Sequence, residues 1–205
     1  MSATAAPTGT DRSDFRTVTI GGAKMGAITA VAVVLFVAAS RLLPDTGGLR
    51  GGVEAVIVLV AAAAATFLPA QWSAARQVEG IAGAAAIGLV GTIVFMAIDI
   101  VVFRPLKAYP WTWDAIGGGS TWWYLPIWWM LGTFLAWMGG IVTARQAARA
   151  EATLLRRTLP VAVGTLLAVM IARLAGVAWA LPFATGLAFT VILALLAVVA
   201  LARKG

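Results

Sequence analysis

The sequence predicts an all-α fold, a polytopic transmembrane helix bundle of about six spans with the N- and C-termini cytoplasmic. Three observations predict it. First, 61% of the 205 residues are hydrophobic and only 11% are charged, whereas a soluble domain carries about 45–50% and about 25%. Such an excess exceeds what a core can absorb, so the solvent for much of it is lipid. Second, the apolar residues gather into six runs, each near the ~20 residues that cross ~30 Å at ~1.5 Å per residue. Third, the basic residues fall between the runs and are unequally shared between the two sides.

Taken in order, residues 1–22 are rich in Ala, Thr, Ser, Pro and Gly and read as a mobile polar tail. The remainder, 23–205, reads as a single transmembrane domain. Its first span covers 25–43 and is ended by Pro44, Gly47 and Gly48. The second covers 53–69, and the third, 80–103, is stopped at Arg104 and Pro105. The fourth covers 122–143, the fifth 159–177 and the sixth 182–202. Arg173 and a short Gly-containing turn blur the last boundary. Strands are excluded because the runs are long, do not alternate, and would leave backbone unsatisfied in lipid.

With six spans, one side carries Arg12, Arg16, Lys24, Arg76, Arg145, Arg149, Arg156, Arg157, Arg203 and Lys204. The other carries Arg41, Arg50, Arg104, Lys107 and Arg173. Ten against five places both termini inside a cytoplasmic (inner) membrane, and makes 104–121 the main external loop.

The chain has neither Cys nor His. Thiol chemistry, iron–sulfur clusters and His- or Cys-ligated metal are therefore excluded, and the commonest general base is missing. No paired carboxylates or nucleophile–base pair meet at membrane depth. Gly117–Gly119 and Gly47–Gly48 lack the Lys-Ser/Thr of a phosphate loop and read as turns. Neither an enzyme nor a resident cofactor is expected. The net charge of +7 lies between apolar runs rather than on a basic stripe, so no nucleic-acid partner is expected either.

Four constellations stand out. Gly80, Gly83, Ala84, Gly88 and Gly91 share one face of the third span. Small faces let helix backbones approach closely, either within this bundle or against a partner subunit. Seven of the nine tryptophans lie between Trp111 and Trp137. Trp111, Trp113, Trp122 and Trp123 fit an interfacial belt. Trp129 and Trp137 lie two and four turns into the fourth span, and could wall an external pocket capped by Asp114. Asp99, Glu54 and Arg173 are the charges within the spans, and an Asp99–Arg173 pair would offset the cost of burying both. Lastly, Arg145, Arg149 and Arg156 share a helical face with Arg157 adjacent, suited to anionic headgroups or a docked partner.

These features predict a non-catalytic integral membrane subunit of a larger complex, with membrane lipid and other membrane subunits as partners. The alternative is a solute-binding or transport subunit whose site near the outer surface uses Asp99, Asp114, Trp129, Trp137 and Arg173.

Overall fold

A computed structural model describes residues 11–108, 124–147 and 153–202. Among them are six helices long and apolar enough to cross a membrane. We label them α1 (Phe15–Leu42), α2 (Leu49–Trp72), α3 (Val78–Ile98, extended by a π-helical turn Asp99–Phe103), α4 (Tyr124–Ala147), α5 (Leu154–Leu174) and α6 (Leu181–Ala202). No strand occurs among the described residues.

Local chemistry sets the ends. At the start of α1, the Asp14 carboxylate accepts from Thr17 N at 3.0 Å and Thr17 Oγ1 at 2.6 Å, a capping arrangement that satisfies an otherwise orphaned N–H. The turn into α2 needs left-handed backbone at Gly47 and Gly48 (φ 65° and 75°), which glycine adopts without steric cost. Helix α5 stops at Gly176 (φ 81°), with Val177 N donating to Ala172 O at 2.9 Å and Gly176 N to Arg173 O at 3.0 Å, a glycine-terminated C-cap.

Two boundaries differ most from the sequence expectation. Helix α1 begins at Phe15, ahead of the expected 25, and α5 begins at Leu154, ahead of 159. The segment 1–22, expected as a polar tail, is helical from Phe15, because its hydroxyls bond back to their own helix. Thr19 Oγ1, for instance, donates to Phe15 O at 2.7 Å. Thr29, Ser40, Thr92, Thr165, Thr185 and Thr190 do the same deeper in the bundle, so each supplies its donor with an acceptor without help from water.

The helices alternate in direction, and α2 packs against all five others. Helices α1 and α3 run side by side, α3 packs on α4, and α6 lies against α2 and α4. Helix α5 is peripheral, resting chiefly on α6 and burying only Val161 and Thr165. The core joins Phe67 of α2, Leu135, Ile141 and Val142 of α4, Val161 of α5, and Phe189 and Leu193 of α6. Large apolar side chains also cover the outside, including Val31, Val60, Leu166, Ile171, Leu195 and Val198. An outward apolar surface of this extent suits a bundle whose surroundings are hydrocarbon.

Candidate functional site

The glycine face of α3 is occupied within the chain. A Cβ on Gly88 would lie 2.5 Å from the Gly132 carbonyl oxygen and 2.6 Å from Ala136 Cβ of α4. One on Gly91 would lie 2.8 Å from Met25 Cβ of α1, and Ala84 is fully buried. At the end of the face, Gly80 and Gly83 admit residues 11–13, with Cβ positions 2.7 Å from the Asp11 carboxylate and 2.8 Å from Arg12 O. The matching small residues, Gly22 and Gly26 on α1 and Gly132, Gly139 and Gly140 on α4, also meet neighbouring helices at close range. The spacings of four between Gly22 and Gly26 and of seven between Gly132 and Gly139 carry the same signal as the face on α3.

Residues 11–13 form a clasp over the α2–α3 turn. Asp11 accepts from the backbone N–H groups of Arg76 (3.2 Å), Gln77 (2.7 Å) and Gly80 (2.8 Å). Arg12 N donates to Ser73 O at 2.8 Å, and Ser13 Oγ to Glu79 Oε1 at 2.9 Å. A carboxylate on free N–H groups at a helix start matches both their hydrogen bonding and the helix dipole. Sequence reasoning missed this cap because its donor and acceptor lie more than sixty positions apart.

At the opposite end, Asp99 is 6% exposed and its Oδ2 accepts from Arg104 Nε at 3.2 Å. The expected Asp99–Arg173 pair does not form. Arg173 instead donates to Trp179 O at 2.7 Å, and α5 packs chiefly on α6 while α3 packs on α1 and α4. Five residues is not a side-chain spacing of an α-helix. The π-helical turn, with Arg104 N donating to Asp99 O at 3.0 Å, brings the two together. Pro105 follows, lacking the N–H that a regular ladder would need. Arg41 of α1 donates to Lys107 O (3.2 Å) and Ala108 O (2.6 Å), tying the end of α3 to α1. Glu54 accepts from Ser40 Oγ at 2.8 Å and lies 3.9 Å from Arg50, which also pairs with Asp45 at 2.7 Å.

The proposed pocket residues are likewise not brought together. Trp129 is 37% and Trp137 48% exposed, both on the outer surface of α4, and Asp114 lies outside the described residues. So do Trp111, Trp113, Trp122 and Trp123. A shallow apolar cleft of about 300 Å³ opens between α1 and α2, lined by Leu35, Ala38, Leu42, Val53 and Ile57 among others, and none of the five pocket residues lines it.

The basic face also divides. Arg145 turns inward and donates to Val199 O (3.3 Å) and Ala200 O (2.6 Å) near the end of α6, where a cation complements the helix dipole. Arg156 is exposed, Arg157 is half-buried, and Arg149 lies outside the described residues.

No family model, curated protein or solved structure matches this chain. Any function must therefore be read from its own geometry. Among the described residues, the buried hydroxyls of Thr66 and Thr143 and Arg157 Nε have no hydrogen-bond partner, and the half-exposed indole of Trp137, halfway down α4, forms no hydrogen bond either.

Proposed function

We propose that the chain is a non-catalytic integral membrane subunit of a larger assembly, joined to a neighbouring membrane chain through the outer face of α4. The observation that carries this reading is Trp137. It lies near the middle of the candidate span Ile127–Arg145, is half-exposed, and faces outward beside Met130. Its indole N–H has no acceptor among the described residues. Hydrocarbon offers none at that depth, and an indole whose N–H goes unmatched costs roughly 1–3 kcal/mol. Tryptophan near a headgroup needs no such explanation, since its ring is buried and its N–H is wet. A carbonyl or hydroxyl from an adjacent transmembrane helix supplies what lipid tails cannot.

Charge supports an inner-membrane orientation with both termini cytoplasmic, ten basic residues against five. The absence of Cys and His from the sequence supports a role without thiol or imidazole chemistry.

A photo-crosslinking residue placed at Met130 or Trp137 in native membranes tests the reading. It predicts capture of a membrane chain at both positions, with none at Leu167 on the exposed side of α5. Trp137→Phe, which keeps the ring and removes the donor, should weaken co-purification in mild detergent about ten-fold. Capture of lipid alone at both α4 positions would overturn it.

A further inference from the structure

We propose that the neighbour on the outer face of α4 is a second copy of this chain, the two α4 helices pairing about a two-fold axis along the membrane normal so that each Trp137 indole donates to the partner's Thr133 hydroxyl. This identity for the neighbour rests on the proposed role of α4 as an intermolecular face.

Thr133 is set apart by its hydroxyl. Within the spans, Thr29, Ser40, Thr92, Thr165, Thr185 and Thr190 donate to the carbonyl one turn back, which provides for a hydroxyl in lipid without water. Thr66, Thr133 and Thr143 form no hydrogen bond among the described residues. Thr66 and Thr143 are enclosed in the bundle, whereas Thr133 is partly exposed on α4. It lies one turn before Trp137, whose indole N–H is likewise unmatched. Residues at that spacing share a helix face. A donor and an acceptor that each lack a counterpart therefore stand together within the span Ile127–Arg145.

An identical face answers the need of both. Two copies inserted in one membrane share an orientation, so their α4 helices meet in parallel with equal residues at equal depth. On a helix, a long side chain leans toward the N-terminus and covers the turn before its own Cα. Trp137 is thereby carried toward the level of Thr133, about 6 Å nearer the helix start, and across a two-fold axis it meets the partner's Thr133. Indole only donates and a hydroxyl also accepts. Symmetry then makes the same bond twice, and the Thr133 hydrogen can still turn back to its own helix. A chain of different sequence would have to bring an acceptor of its own to this depth. A second copy already carries one.

The rest of the face suits a helix as well. Met130, Thr133, Phe134 and Trp137 follow the spacing of three, four and seven residues that forms a seam between helices crossing at about 20°. Met130 is 71% exposed and Phe134 lies between it and Trp137, so the seam is apolar around its polar pair.

The test uses the full chain carrying Met130→Cys in native membranes, where the lack of natural cysteine removes background. Two versions with tags of different size are co-expressed and oxidised. A disulfide joining both tags is expected, with none for Leu167→Cys on the exposed side of α5. Pairing is then measured by energy transfer between labelled chains diluted in lipid vesicles. Trp137→Phe and Thr133→Val should each weaken it about ten-fold. The double variant should lose no more than either single one, because either change already removes both symmetric bonds. Trp137 projects outward, so its variant keeps the test valid if Thr133→Val disturbs packing. Additive losses, or full pairing in Trp137→Phe, would overturn the Trp137–Thr133 bond. Absence of the mixed disulfide, with a different membrane protein captured by a photo-crosslinker at Met130, would overturn the second copy and leave α4 as an interface. Capture of lipid alone would overturn both.

Discussion

Replacing Gly88 by Ala adds one methyl group where the structure leaves no room. Its carbon would lie 2.5 Å from a backbone carbonyl oxygen of Gly132 and 2.6 Å from Ala136 Cβ, against contact optima of about 3.5–4.0 Å. Neither obstacle is the flexible end of a side chain, so α3 and α4 must separate by about 1 Å across a crossing built on close approach. Overpacking of this kind costs about 1–3 kcal/mol, offset in part by the ~0.8–1.0 kcal/mol that Ala gains over Gly in a helix. The expected net loss runs up to about 2 kcal/mol. Gly52→Ala provides the opposite sign. It lies in α2 with nothing within 4 Å of its added carbon, and should gain about 0.5–1 kcal/mol. Reversible unfolding in mixed micelles, followed by near-UV circular dichroism, measures both. Should Gly88→Ala prove as stable as Gly52→Ala, the α3–α4 contact would have to be wider than described and the glycine argument would fail.

Further outcomes follow from the polar ends. Asp11→Ala removes an acceptor from three N–H groups and should destabilise the α2–α3 turn by about 1 kcal/mol, read as faster hydrogen exchange at Gln77 and Gly80. Hydrogen bonds from Thr17 hold the Asp14 carboxyl below its ordinary 3.8. Its contribution to α1 is therefore complete above that value and disappears as pH falls through the lowered one. Exchange at the Thr17 amide should be flat in its pH-corrected rate from neutrality to mild acid and rise only below that point, whereas Asp14→Asn should abolish the rise. Arg145→Gln removes the donor to Val199 O and Ala200 O and should fray the last turn of α6 by about 0.5–1 kcal/mol, seen as faster exchange confined to that turn.

The spans were legible in the sequence because their signal is summed over some twenty residues and lipid tolerates little else. The small-residue face of α3 was legible for a similar reason: its spacing alone puts Gly80 through Gly91 on one side. What that face meets was not, since the partners on α1 and α4 are chosen by three-dimensional packing. The start of α1 was hidden by its polar residues, although Asp14 three positions before Thr17 is a capping signal. The polar pairings were the least legible. Asp99 and Arg104 meet only because a π-helical turn changes the spacing, and Asp11 reaches a turn far along the chain. The tryptophans misled because exposure, which sequence does not display, separates a pocket wall from an outward-facing indole.

The natural chain contains no cysteine, so single cysteines introduced one at a time report on membrane placement without background. Labelled with an impermeant thiol reagent in sealed vesicles, cysteines at Thr46 and Ala178, exposed in the α1–α2 and α5–α6 turns, should react from one side and one at Arg76 from the other. Those at Val60, Leu167 and Val191, apolar and outward-facing within their helices, should react from neither. Reaction at Thr46 and Arg76 from the same side, or ready labelling at the three mid-helix positions, would contradict six helices crossing lipid.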